Sequence, residues 1–287
     1  MTRPLPAKIL ICGKGSIACR ALGYLLDYLA LAGAGSEVLA LPVAADTATD
    51  TWEPSLRALA TQRTVRCIDT TAAAGLGAGD LLLSLQFDRI IRLPTLGGAR
   101  AFNLHFSALP AYRGCYTSVW PLCNGEARAG VTLHVLTAGI DDGDIVGQRV
   151  FDLPEWMTAW QLYGLLQDHA YALFKQHLPA LLRAEEVLRP QAPTTLYYDR
   201  HSIDFGSVEI DVAGSDVQTA VDWIRSRIFD PRQFPTFRGR EVVAGEAVDG
   251  PPAPAAAPGT VLLESASHVV VACRDGLLRL TWRQVRT

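Results

Sequence analysis

Asn103 and His105 stand two residues apart in the run RAFNLHFSALP, residues 100–110. In an extended chain that spacing sends both side chains off the same face of a strand. An amide that donates hydrogen bonds then lies beside an imidazole that exchanges a proton near neutral pH. Leu109-Pro110 and the Arg113-Gly114 pair end the strand and open an irregular loop. Further on, the turn IDDGD at residues 140–144 carries Asp141, Asp142 and Asp144 around Gly143, and one of these carboxylates can return to meet the histidine. A hydrogen-bond donor, a proton carrier and a carboxylate are the parts of general acid–base catalysis with oxyanion stabilisation.

The elements that must hold these residues follow an α/β pattern. KILIC at 8–12, the glycine turn GKG and the apolar run up to Leu31 give strand, turn and helix, the opening of a βαβ unit. EVLALPV at 37–43, DLLLSL at 80–85 and RIIRL at 89–93 are further strand candidates. Their near-continuous apolar character predicts a parallel sheet covered on both faces. The loop after His105 then falls at the carboxyl edge of the sheet, where such folds bind ligands. VTLHVL at 131–136 and DIVGQRVFDL at 144–153 pair across the turn GIDDG. A helix over residues 158–186, with Leu162, Leu165, Leu166, Ala170 and Leu173 at helical spacing, closes this part and is expected to bend near Pro179. RPQAPTTLYYD at 189–199 reads as a linker or crossover.

From about residue 200 the pattern changes. SIDF, VEIDV, GREVV, GTVLLES, HVVVAC and LLRLTWRQV read as short strands, and SDVQTAVDWIRSRIF as a helix capped by Ser215 or Asp216. So many strands around one helix suit a small OB-like barrel. AGEAVDGPPAPAAAPG at 244–259 reads as an exposed, mobile loop.

Composition sets the class. Apolar residues make up 49% of the 287 and charged ones 19%, which describes a well-cored globule. A net charge of −3 argues against a general polyanion binder. Six cysteines occur without a CxxC pair or a histidine at ligand spacing, so no metal is expected. The apolar run of MTRPLPAKILICG is too short for a signal peptide or a membrane span, and a reducing cytoplasm with free thiols is expected.

The motifs NLHFSALPAYRG, NGE, GVTLH and DDGD, in that order over about 45 residues, resemble the core pattern of the 10-formyltetrahydrofolate-dependent formyltransferases. The flanking strand order fits over roughly the first 190 residues. The resemblance implies a Rossmann-like formyltransferase domain at 1–190 and a smaller β-rich, OB-like domain at 200–287. It implies N10-formyltetrahydrofolate as formyl donor, and it assigns the catalytic trio to Asn103, His105 and Asp141. A one-step shift of the alignment would exchange Asp141 with Asp142 or Asp144. It aligns FDRII, residues 87–91, with the family's folate-binding strand edge, where backbone groups pair with the pterin, so Phe87, Arg89, Ile90, Ile91 and Ile140 are expected donor contacts.

Other features have plainer readings. The GKGSIA turn lacks a third glycine, having Ala18 there, and no acidic partner follows at the next strand end, so a tight βα turn outweighs a dinucleotide site. His134 reads equally as a core histidine or as a group behind the site. Trp120, placed with Tyr116 in the helix after the catalytic loop, is expected to pack, while Tyr116 divides evenly between packing and stacking on a base.

The resemblance leaves the acceptor amine to be chosen. Enzymes acting on glycinamide ribonucleotide stop after the first domain, whereas this chain continues. Methionyl-tRNA formyltransferases carry an OB-like C-terminal domain, but residues 201–287 hold nine arginines, no lysine and eleven acidic residues, a poor match to a polyanion. HFS and YRG-x-YTS resemble instead the enzymes that formylate nucleotide-linked amino sugars. There Ser107, Tyr112, Arg113 and Tyr116 would meet sugar hydroxyls or the diphosphate. The expected acceptor is a dTDP-linked 4-amino-4,6-dideoxysugar, with methionyl-tRNA or another small natural-product amine as alternatives. Related sugar enzymes dimerise through C-terminal strands, so a homodimer is expected, with neither nucleic acid nor membrane as partner. A formyltetrahydrofolate hydrolase shares the trio but carries an N-terminal regulatory domain, for which Met1 opening onto the first strand is expected to leave no room. A non-catalytic folate or nucleotide binder would have no use for the trio.

Overall fold

Apolar runs too long to leave any face exposed build the first sheet. A computed structural model describes residues 4–194, 196–230, 232–248 and 256–284. Strand β1 (Lys8–Gly13), helix α1 (Gly15–Leu31), strand β2 (Glu37–Pro42), helix α2 (Leu56–Gln62) and strand β3 (Arg66–Cys67) alternate as a parallel sheet requires. Strands β4 (Leu81–Leu85) and β5 (Arg100–His105) extend it. Two-residue β6 (Arg113–Gly114) and one-turn helix α3 (Trp120–Cys123) lead to β7 (Arg128–Val135), β8 (Ile145–Asp152), helix α4 (Ala159–Arg183) and β9 (Tyr197–Tyr198).

The sheet order is β3-β2-β1-β4-β5-β7-β8. Neighbours from β3 to β5 are parallel, and β7 is antiparallel to β5. Ile9, Leu10, Ile11, Leu81, Leu82 and Leu83 are buried on both faces, as their sequence pattern predicts. Gly13 is required where β1 passes β4, because a Cβ there would lie 2.0 Å from the Leu85 carbonyl oxygen. Gly15, at φ 65°, begins α1, and the Glu53 carboxylate fills the space a Cβ would take, 2.3 Å from its position. A carboxylate at a helix start complements the unpaired amides there. Thr158 and Gln161 cap the start of α4 reciprocally, with Thr158 N–H donating to Gln161 Oε1 at 2.9 Å and Gln161 N–H to Thr158 Oγ1 at 3.4 Å.

The chain divides into two compact units. One comprises Met1–Gly114, Gly130–Val150 and Leu166–Tyr197; the other comprises Cys115–Ala129, Phe151–Leu165 and Tyr198–Thr287. In the second, helix α5 (Val217–Arg227) precedes strands β10 (Thr236–Phe237), β11 (Arg240–Val248), β12 (Val261–Glu264), β13 (His268–Ala272) and β14 (Leu277–Trp282). The strands form a sheet in the order β10-β11-β14-β13-β12, every pair antiparallel. Ile224 of α5 lies against Gly245, and its side chain joins Val242, Val269, Val271, Leu278, Leu280 and Trp282 in one core. Of the two candidate caps for α5, Asp216 is the one used, accepting from Thr219 N–H at 2.7 Å.

Several expected elements differ. RIIRL is no strand: Gln86 adopts φ 59° and turns the chain out of β4, Pro94 enters a 3-10 turn at Leu93–Leu96, and Ile90 is 83% exposed. SIDF is a bend and turn in which Gly206 N–H donates to Asp204 Oδ1, and VEIDV keeps only a bridge between Glu209 and Thr236. The first part of the expected Pro/Ala-rich loop, Ala244–Val248, continues β11 and pairs with β14, while residues 249–255 lie outside the described residues. Tyr116 precedes α3 in a turn at φ 60° rather than lying in the helix. None of the six cysteines forms a disulfide, and burial pushes the Cys273 thiol up to about 11. Among the described residues no helix is long and apolar enough to cross a membrane.

Candidate active site

The register between β5 and β7 creates the centre of the site. Asn103 faces His134 across the two strands, and His105 faces Thr132. The turn after β7 then brings Asp141 back over both. Asn103 Nδ2 donates to Asp141 Oδ1 at 3.1 Å, and His105 Nδ1 lies 3.5 Å from Asp141 Oδ2. His134 Nε2 sits 3.3 Å from Asp141 Oδ1 and 3.2 Å from Asn103 Nδ2. Gly114 N–H donates to Asp141 Oδ2 at 2.9 Å. The structure thus brings together the amide, the imidazole and the carboxylate, and adds a second imidazole. Asp142 is engaged elsewhere, accepting from Thr137 Oγ1.

Ring surroundings fix the hydrogens. His105 Nε2 lies 2.8 Å from the carbonyl of Tyr112, an acceptor only, so that nitrogen carries hydrogen and Nδ1, facing Asp141, is the one left to gain or lose a proton. His134 Nδ1 likewise donates to its neighbour's carbonyl, Val135 O, at 2.9 Å. Its Nε2 then accepts from Asn103 when the ring is neutral, and both Asn103 amide hydrogens are occupied, one by His134 and one by Asp141.

Burial alone would raise the Asp141 pKa, but the charges of protonated His105 and His134 and the hydrogen bond from the Gly114 amide outweigh it and hold the carboxyl well below its usual range. Asp141 is therefore a fixed negative charge at neutral pH. Its backbone sits at φ 51°, and Gly143 is needed beside it, because a Cβ there would lie 1.9 Å from Val135 O.

A buried network shapes the loop after His105. Thr132 Oγ1 donates to Ser107 O at 2.7 Å and accepts from Leu109 N–H at 3.1 Å and from Gln148 Nε2 at 2.9 Å, while Gln148 Nε2 also reaches Leu109 O at 2.8 Å. The Leu109-Pro110 peptide bond is cis. Ser107 is buried and donates to Ala111 O at 2.8 Å; Tyr112 is buried at φ 59°. Arg113 is half-buried, its Nη2 donating to Gln191 Oε1 at 3.1 Å. In the second unit, Tyr116 Oη donates to Arg200 O at 2.9 Å and its ring meets Phe205 edge-on, while Trp120 stacks on Tyr198 at 4.1 Å.

The expected donor contacts fall in two places. Phe87, Arg89, Ile90 and Ile91 line a cleft of about 150 Å³ together with Leu41, Thr70, Thr71, Arg92 and Thr95, whereas Ile140 is exposed beside Asp141 and does not line it. Ligand pockets usually measure about 300–1,000 Å³, so this cleft has room for part of a folate-sized molecule. Among the described residues no cluster of three or more His, Cys, Asp or Glu is set to hold a metal ion.

Sequence reasoning left His134 undecided and passed over Thr132, Gln148 and Gln191. The alternation in VTLHVL assigns a face to Thr132 and His134, but only the pairing of β5 with β7 shows which residues they meet.

A mostly parallel sheet with an amide, an imidazole and a carboxylate converging beside the end of one strand defines an acyl-transfer type of enzyme. Residues 57–178 match the formyl transferase family. The fold is similar to that of WlaRD, a sugar 3N-formyl transferase solved in the presence of dTDP and 5-N-formyl-THF, with a TM-score of 0.85 and 25% identity over 97% of this chain and 98% of that one. It is also similar to an N-formyltransferase from Helicobacter canadensis in complex with folinic acid and dTDP-3-aminofucose, with a TM-score of 0.83 and 26% identity over 96% and 98% of the two chains. A 4-N formyltransferase from Francisella tularensis shares the fold at a TM-score of 0.63 and 19% identity, over 80% of this chain and 92% of that one. The chain carries a formyl transferase domain over residues 57–178 and is a formyltransferase.

Proposed function

We propose that the enzyme moves a formyl group from N10-formyltetrahydrofolate to the primary amine of a dTDP-linked amino deoxysugar. The observation that carries this reading is the similarity, over nearly the full length of both chains, to two N-formyltransferases, one solved with dTDP and 5-N-formyl-THF and the other with folinic acid and dTDP-3-aminofucose. In the reaction the amine nitrogen bonds to the formyl carbon, the bond from that carbon to N10 breaks, and the proton lost by the amine ends on N10.

The geometry supports a division of labour. Asp141, held ionised, is a poor proton acceptor and serves to orient and stabilise a protonated His105. His105 carries the proton on Nδ1, the nitrogen left open by the Tyr112 carbonyl. Asn103 donates to the tetrahedral oxyanion once the formyl oxygen displaces one of its present partners, Asp141 or His134. Arg113 and Tyr116 meet the acceptor, while Ser107 and Tyr112 hold the loop that carries them. Phe87, Arg89, Ile90, Ile91 and Ile140 receive the donor. In this proposal residues 1–190 act as the catalytic domain and 200–287 as an OB-like domain, in a cytoplasmic homodimer.

Support for the acceptor's amine moves from the C4 position expected from sequence to C3, because the two structures at 25% and 26% identity are a 3N-formyl transferase and a complex with a 3-amino sugar. The test is incubation with labelled formyl donor and, separately, dTDP-3-amino sugars, dTDP-4-amino sugars, methionyl-tRNA and glycinamide ribonucleotide. Label on the 3-amino sugars is expected. Label on the 4-amino sugars alone would restore the earlier position, and label on tRNA alone would overturn the sugar reading.

A further inference from the structure

Gln191 lies in the stretch that sequence reads as a linker, yet its amide is fully used inside the site. Arg189 and Ile145 exchange two backbone hydrogen bonds, of 2.7 and 2.9 Å, as an isolated antiparallel bridge. Two residues beyond Arg189, Gln191 therefore comes opposite Gly143, two residues before Ile145. Its Nε2 donates both hydrogens, to Asp141 O at 3.1 Å and to Gly143 O at 2.6 Å. Its Oε1 accepts from Arg113 Nη2 at 3.1 Å.

The turn has reason to need this clamp. Asp141 stands at φ 51°, a conformation that persists only where its surroundings enforce it. Its carboxylate must reach the Gly114 N–H and His105 at the same time. Gln191 holds the backbone of that residue from one side and the side chain of Arg113, the neighbour of Gly114, from the other. One amide thereby closes a ring through Arg113, Gly114 and Asp141.

We propose that Gln191 is a positioning residue, which sets the Asp141 carboxylate against His105 for formyl transfer and ties that carboxylate to the Arg113 segment. This role rests on the proposed function for its kinetic readout, but not for its spectroscopic one. Gln191→Ala and Gln191→Glu are made in the full chain. The glutamate keeps the volume and a partner for Arg113 but offers no hydrogen to the two carbonyls. For both variants kcat is expected to fall about 10- to 100-fold while the donor KM stays within about threefold, as for a misplaced catalytic group. In carbon-13 spectra the Asp141 carboxyl is expected to titrate at a higher pH in both variants than in the wild type. A Gln191→Glu enzyme with near-wild-type kcat, a loss confined to KM, or an unmoved Asp141 titration overturns the proposal. If the wild type formylates no amine, the functional reading fails, and the Asp141 titration still decides this one. Should Gln191→Ala not fold, the isosteric glutamate variant carries the test.

Discussion

The turn at residues 140–144 and the loop at 86–92 flank the same chemistry by proposal, yet the chain holds them by opposite means. In the turn, the Asp141 carboxylate meets Asn103, His105, His134 and Gly114, and its carbonyl is held by Gln191. In the loop, Asp88, Arg89, Ile90 and Arg92 are exposed, and Arg89 rests on Asp69 O at 3.3 Å and over the Phe87 ring. The turn is built before any substrate arrives, as electrostatic catalysis requires. An isoleucine left 83% exposed above a cleft gains its burial only when something covers it. Rate should therefore depend on the first region and donor affinity on the second.

The sharpest way to break that comparison is at His105. Its replacement by alanine removes the proton carrier and should lower kcat by about 10²- to 10⁴-fold with little change in thermal stability. Near-normal turnover in that variant would end its assigned role. Asn103→Ala comes next, with a loss of roughly 10²- to 10³-fold, the usual cost of one oxyanion donor, read in kcat at saturating donor. On the other side, Ile90→Ala should leave kcat alone and raise the donor KM about three- to tenfold, in line with burial of a few methyl groups. A kcat loss there would erase the division between the two regions.

The smallest effect concerns acid stability. The folded Asp141 pKa is depressed, so its stabilising contribution is fully present above the unfolded value of about 3.9 and is lost as pH falls through the folded value. The difference in stability between the wild type and Asp141→Asn should therefore shrink as the pH drops from about 5 to below about 4. A gap that widened below about pH 4 would show that the carboxyl is not held ionised.

Much of this was legible in the chain. Asn103 and His105 could be paired from their spacing alone, and β1, β2 and β4 from apolar runs that only a doubly covered sheet can hide. RIIRL carries the same kind of run, but periodicity cannot tell a buried strand from apolar side chains waiting at a cleft. SIDF and VEIDV alternate over too few residues to outweigh the Asp204 and Gly206 turn between them. His134 and Gln191 were out of reach for another reason. Their roles come from register, Asn103 against His134 and Arg189 against Ile145, and register is a property of two segments that neither one spells out.

The Glu53 carboxylate at the start of α1 has a consequence for what this enzyme can be turned into. Glycine-rich turns of this kind elsewhere welcome a phosphate through the bare amides of the helix behind them. Here the chain has brought its own anion to that doorway and trimmed residue 15 to a hydrogen to admit it. A nucleotide's phosphates would meet repulsion there, so they must be received on some other part of the surface, and grafting a dinucleotide site onto this turn would have to begin by evicting Glu53.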